Sequence, residues 1–187
     1  MATRMNAEEA GQALVEVTLG LIVLCVFVLG IIDFGRAIYD VQVMKNLVGE
    51  GSSMASRSGG GTSLSNIAIT IDSDAGNDLN MSTSGCVIVT QVQNMGSGSI
   101  QVLNQASAGG LSGATCKSGV GCVSGTTGCG TSNATLPTAA VTALTTEGTG
   151  SAIYTTEIYY NYSPITPIPT FLGKNVLPSQ FYAVAYY

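Results

Sequence analysis

The chain has no histidine and no tryptophan, and only 9% of its 187 residues are charged, against about 25% in an ordinary globular protein. The lack of histidine removes the commonest general base and the commonest metal ligand, which argues against an enzyme. Basic residues are scarce as well. Six Lys and Arg face eleven Asp and Glu, for a net charge of −5 and a pI near 4.4. Phosphate binding needs a basic patch, so a nucleic-acid partner is not expected. No Ser/His/Asp or Cys/His set exists. The glycines of residues 106–130 do not lie between a strand and a helix, so they read as loop and not as a phosphate cradle. In place of charge the sequence carries Gly, Ser and Thr, which implies a neutral, hydroxyl-rich surface.

One long apolar run is present. In QALVEVTLGLIVLCVFVLGIIDFGRAIYD no residue from Val17 to Ile32 is charged. About 16 residues give ~24 Å of helix, slightly short of a ~30 Å hydrocarbon core. Including Ala13 to Glu16 gives about 20 residues and places one carboxylate within the span. A cleaved secretory signal would end on small residues, and Asp33-Phe34-Gly35-Arg36 is not such a flank. The reading is a transmembrane segment over residues 13–32.

The helix is expected to continue past the membrane. Phe34, Ile38, Val41, Met44 and Val48 recur at three- and four-residue steps, with Asp40, Lys45 and Glu50 off that stripe. A helix from about Ala13 to Ser56 follows, weakened at Gly49 and Gly51 by ~1 kcal/mol each and ended by Gly59-Gly60-Gly61. Residues 62–78 admit either a strand or a short helix, since Ile67, Ile69 and Ile71 alternate. Cys86–Gln93 reads as a strand, with Ile100–Leu103 returning across Gly96-Ser97-Gly98. Residues 106–135 read as a low-complexity surface loop. Ile153–Tyr162 alternates with Tyr154, Thr156, Ile158, Tyr160 and Tyr162 on one face. Residues 163–169, rich in proline, are extended but not a central strand, and Phe181–Tyr187 closes the chain as a strand. The coarse architecture is α+β, a long N-terminal helix whose exposed half packs on an antiparallel sheet of three or four strands.

Five cysteines fall into two groups. Cys25 lies in the apolar run and reads as a free thiol. Cys86, Cys116, Cys122 and Cys129 lie in the polar region. Four cysteines beyond a membrane segment favour two disulfides and an oxidising compartment over a zinc site, because the spacing lacks CxxC pairs. Three pairings are open.

Two stretches carry a family resemblance. Gly11-Gln12-Ala13-Leu14-Val15-Glu16 resembles a type IV prepilin processing site. Residues 11–39, with the Asp33-Phe34-Gly35-Arg36 cluster, resemble TadE-type pseudopilins of the Tad branch of type IV pili. The tail, residues 152–187, resembles theirs in its tyrosine-rich strand, Pro-rich bend and final strand. The resemblance implies a pilin-like fold with a leader over 1–11, an N-terminal helix over 12–58 and an extracytoplasmic domain over 59–187. It implies cleavage by a prepilin peptidase between Gly11 and Gln12. It also gives Glu16 a partner, the freed amine of a neighbouring subunit. The alternative for Glu16 is a side chain reaching the headgroups, since a carboxylate inside a bilayer costs roughly 2.5–3.5 kcal/mol.

Other candidates are weaker. Asp33 and Arg36, at i and i+3, suit either an intersubunit bridge or a solvated boundary pair. Asp72, Asp74 and Asp78 offer alternating carboxylates to a cation such as calcium, but an ordinary Asp/Gly turn explains them equally. The tyrosines from Tyr154 on suit sheet packing better than a stacking surface or electron path. Asn80-Met81-Ser82 and Asn133-Ala134-Thr135 fit the N-glycosylation triplet.

Two functions from different classes are expected. The first is a TadE-like pilin or pseudopilin, a filament subunit. It waits in a bacterial inner membrane, meets other copies, other pilins and the assembly machinery through its helix, and ends outside the cell. Gly20 and Gly30 would allow close helix approach. The second is a permanently anchored surface adhesin that binds through loop 106–135. A calcium-dependent enzyme or sensor is a distant third.

Overall fold

The computed structural model describes residues 7–59, 63–76, 78–111, 116–121, 134–166 and 177–187. The elements in chain order are helix α1 (Ala7–Ser58), helix α2 (Ser63–Ala75), the short helix α3 (Met81–Ser84), strands β1 (Gly85–Gly96) and β2 (Ser99–Gly109), helix α4 (Thr138–Glu147), and strands β3 (Ala152–Asn161) and β4 (Gln180–Tyr186). The chain divides into two compact units, one of residues 1–38 and 163–177, the other of residues 39–162 and 178–187. This is an α+β fold with a long apolar N-terminal helix packed on a four-stranded antiparallel sheet, as the sequence implies.

Helix α1 runs for 52 residues, about 78 Å at 1.5 Å per residue. It ends where Gly59 turns left-handed at φ 72°, a conformation that favours glycine at a helix C-terminus. In the first unit every residue from Gly11 to Leu29 is exposed.

In the second unit the sheet order is β2-β1-β3-β4, all antiparallel. The hairpin β1–β2 turns at Ser97-Gly98, both at positive φ, as a tight two-residue hairpin requires. Asn94 pins that end. Its Oδ1 accepts the Gly96 N–H at 2.9 Å, and its Nδ2 donates to the carbonyls of Leu144 and Gly148 at 3.0 and 3.1 Å. The end of α4 is thereby tied to the hairpin.

Strand side chains alternate between faces, and both faces of this sheet are covered. On one face, that of Val87, Val89, Thr156 and Ile158, α2 packs on β1 and β2 and α1 reaches Thr156. Gly51 of α1 lies so close that a Cβ there would stand 2.9 Å from Thr156 and 3.3 Å from Ile71. On the other face Val92 and Val102 pack with Val120 and Leu144, and Cys86 and Ile88 with Cys116. Strand β3 is therefore buried on both sides, Thr155 and Glu157 as well as Tyr154, Thr156 and Ile158.

The stripe on α1 differs from the one the sequence suggests. Phe34 and Ile38 are exposed, and the buried positions are Asp33, Ala37, Asp40, Met44, Leu47, Val48, Gly51, Ser52 and Ala55. The three- and four-residue rhythm holds, and Met44 and Val48 are buried as the sequence suggests, but Ala37, Asp40, Gly51, Ser52 and Ala55 are small or polar residues that hydropathy alone does not pick out. Residues 63–75 take the helical alternative. Leu64, Ile67, Ala68 and Ile71 are buried and Ile69 is exposed, a 3.6-residue rhythm. Residues 106–109 belong to β2, and α4 forms where the sequence suggested no element.

Candidate functional site

The exposed apolar part of α1 is the most unusual surface in the chain. Leu14, Val17, Leu21, Leu24, Phe27 and Ile31 are between 57% and 70% exposed. Leaving such side chains in water forfeits about 1.5–3 kcal/mol each, so the segment requires lipid or other helices around it. It is the one helix among the described residues that is long and apolar enough to cross a membrane. Thr18, its hydroxyl residue, donates to the Leu14 carbonyl at 2.7 Å, which satisfies the hydroxyl without water. Gly20 and Gly30 have open space where a Cβ would stand. Cys25 is a free, exposed thiol.

Gly11, Gln12 and Glu16 all lie within α1 and are exposed. The helix passes through the Gly11–Gln12 bond without interruption. Glu16 immediately precedes the fully uncharged stretch from Val17 to Ile32.

Asp33, where the apolar run ends, is buried at 3% exposure. Its Oδ1 accepts the backbone N–H groups of Ile165 and Thr166 at 3.1 and 3.4 Å, and its Oδ2 accepts the Thr166 hydroxyl. A carboxylate taking several N–H and O–H donors is held firmly. Arg36, one turn on, has its Nη1 buried with no hydrogen-bond partner among the described residues.

On the sheet face away from α1, Cys86 and Cys116 form a disulfide with Cα atoms 6.0 Å apart. Cys122 and Cys129 lie outside the described residues. The disulfide brings residues 116–121 over β3, where the buried Glu157 receives them. Ser118 Oγ donates to its Oε2 at 2.5 Å, and Gly119 N–H and Tyr182 Oη donate to its Oε1, both at 2.7 Å. Burial and the Glu157 carboxylate push the Tyr182 hydroxyl's ionisation well above its ordinary value. The same two causes raise Tyr159 and Tyr186. These tyrosines serve packing: Tyr159 and Tyr182 stack tilted with centroids 4.6 Å apart, and Tyr162 and Phe181 with centroids 5.1 Å apart. Glu157 escaped the sequence reading. Its one signal was a lone charge inside a strand otherwise made of apolar, hydroxyl and aromatic residues.

The acidic triplet is not gathered for a cation. Asp72 and Asp74 stand two residues apart on α2, hence on different sides of it, and Asp78 lies beyond its end, where its charge raises the ionisation of the Tyr39 hydroxyl. Burial raises the Asp72 carboxyl. Among the described residues no three His, Cys, Asp or Glu side chains are placed to hold a metal ion. A turn would have converged these carboxylates, but a helix spreads them.

Comparison with known families gives a match over the N-terminal part of the chain. Residues 11–52 match the family model described as TadE-like protein. The match ends inside α1, so the four strands and the tail resemblance at 152–187 lie outside it. No curated protein and no solved structure matches the chain.

Proposed function

We propose that this chain is a structural subunit of a Tad-type pilus or related filament. The observation that carries the proposal is the exposed apolar segment of α1, which contains Glu16 and lies within the TadE-like match. Such a surface is stable only in lipid or among other helices. The subunit waits in the inner membrane through residues 13–32 with residues 59–187 outside the cytoplasm. Prepilin peptidase removes residues 1–11, and α1 then exchanges lipid for the helices of other copies or other pilins. Glu16 sets the register by pairing with the new amine at Gln12 of a neighbour. Asp33 and Arg36 mark the outer membrane edge.

No catalytic role is assigned. The buried carboxylate with the fullest set of partners, Glu157, is occupied by three donors that hold residues 118–119 and Tyr182.

The proposal is tested in cells that make the pilus. Replacing Glu16 with leucine should leave the protein in the membrane and remove it from sheared filaments. An unchanged amount in the filaments would overturn the register role. A protein that never leaves the membrane, with or without Glu16, would favour the anchored adhesin.

A further inference from the structure

We infer that residues 163–166 form a second membrane contact: Asp33 holds this segment against α1 so that Ile165 enters the lipid boundary beside the membrane-spanning helix. The inference rests on the reading of α1 as a bilayer span. Asp33 is the first charge after the uncharged run that ends at Ile32, so its position along the helix marks the edge of the hydrocarbon. The Ile165 N–H donates to Asp33 Oδ1 at 3.1 Å, which fixes Ile165 at the level of Ile32 and Phe34. All three side chains are open to the surroundings, Ile165 at 68%, Phe34 at 48% and Ile32 at 47%. The exposed apolar surface of Ile165 thus continues the surface that α1 already presents to lipid.

The backbone of the segment suits that place. An irregular loop is excluded from apolar lipid chiefly because its N–H groups lack partners. Here Pro164 has no N–H to satisfy, and Asp33 takes those of Ile165 and Thr166 together with the Thr166 hydroxyl. Three successive residues therefore bring no unpaired donor to the membrane edge. Nor does any residue from Ser163 to Thr166 carry a charge that would oppose entry into the interface. Asp33 is in this account a positioning residue. Its carboxylate faces the loop backbone, and the lipid meets Ile165.

Because the chain has no tryptophan, a single introduced one reports its own surroundings. The full chain carrying Ile165→Trp is reconstituted at low density in phosphatidylcholine vesicles containing lipids brominated at defined acyl depths. A parallel sample carries Leu24→Trp. The expected result is blue-shifted emission from position 165, quenched most by bromines near the headgroup, while position 24 is quenched most by bromines near the bilayer centre. Adding Asp33→Ala or Thr166→Val to the Ile165→Trp protein should red-shift position 165 and reduce its quenching, with position 24 unchanged. Water-like, unquenched emission at 165 beside normal quenching at 24 overturns the loop contact and leaves the span standing. Loss of quenching at both positions overturns the span itself. A blue shift at 165 that grows with protein density and resists bromolipid assigns the surface to a second copy, and also overturns the inference. Quenching that persists in both latch variants removes Asp33 from its positioning role.

Discussion

The backbone N–H of Gly119 donates to the carboxylate of Glu157 at 2.7 Å, across 38 residues of chain. Together with Ser118 and Tyr182 it saturates a fully buried acid on the central strand β3. The cradle fastens the segment that follows Cys116 to the sheet.

Removing the acceptor should therefore destabilise this layer. Glu157 is fully buried but its donors are only partly so and can turn to water, so Glu157→Ala is expected to lower stability by about 1–3 kcal/mol. Glu157→Gln keeps one oxygen for Gly119 and Tyr182 and should cost less. Urea unfolding followed by tyrosine fluorescence measures both, and equal midpoints for the two variants would contradict the cradle.

Alkaline pH should loosen the same region. Tyr182, Tyr159 and Tyr186 have hydroxyls whose ionisation is raised by burial and by Glu157. A raised pKa means the folded state resists ionisation more than the unfolded chain does. That contribution to stability is full below the ordinary tyrosine value of about 10 and is lost as pH rises above it. The urea midpoint should be level near neutral pH and fall above pH ~10, with a shallower fall in Tyr182→Phe.

Gly49 and Gly51 lie one half-turn apart on α1, and alanine should act on them oppositely. At Gly49 a Cβ meets nothing within 4 Å, so Gly49→Ala should gain up to about 1 kcal/mol of helix propensity. At Gly51 the Cβ meets the branched, poorly yielding Thr156 at 2.9 Å. Overpacking of this kind costs about 1–3 kcal/mol, so Gly51→Ala should be neutral to destabilising. Paired thermal melts of the two variants decide the sign.

The Cys86–Cys116 bridge joins residues 30 apart in sequence. A loop of that length is worth about 3–4 kcal/mol on the chain-entropy account. Reduction, or Cys86→Ala with Cys116→Ala, should lower the melting temperature. An unchanged temperature would mean that Glu157 alone secures the segment.

These sites differ in how far the sequence foretold them. The membrane run, the hairpin at Ser97-Gly98 and strands β3 and β4 were legible because hydropathy, turn glycines and two-residue alternation are local signals. The packing stripe on α1 was legible only at Met44 and Val48, because its other contacts include Ala37, Asp40, Gly51 and Ser52. Their burial follows from close approach and not from their own hydropathy. Helix α2 was ambiguous because Ile67, Ile69 and Ile71 fit both periods, and only packing on β1 and β2 exposes Ile69. Asp33 stood out as the end of the apolar run, but its partners lie more than 130 residues away, beyond the reach of any local pattern. The same holds for Glu157 and Gly119.

The central claim, that α1 is a processed assembly helix and not only an anchor, is tested most directly by the intact mass of the protein recovered from sheared filaments and from membranes of cells that make it. The account predicts a chain beginning at Gln12 in the filament fraction. A chain that retains residues 1–11, found in the membrane alone and never in filaments, would contradict it.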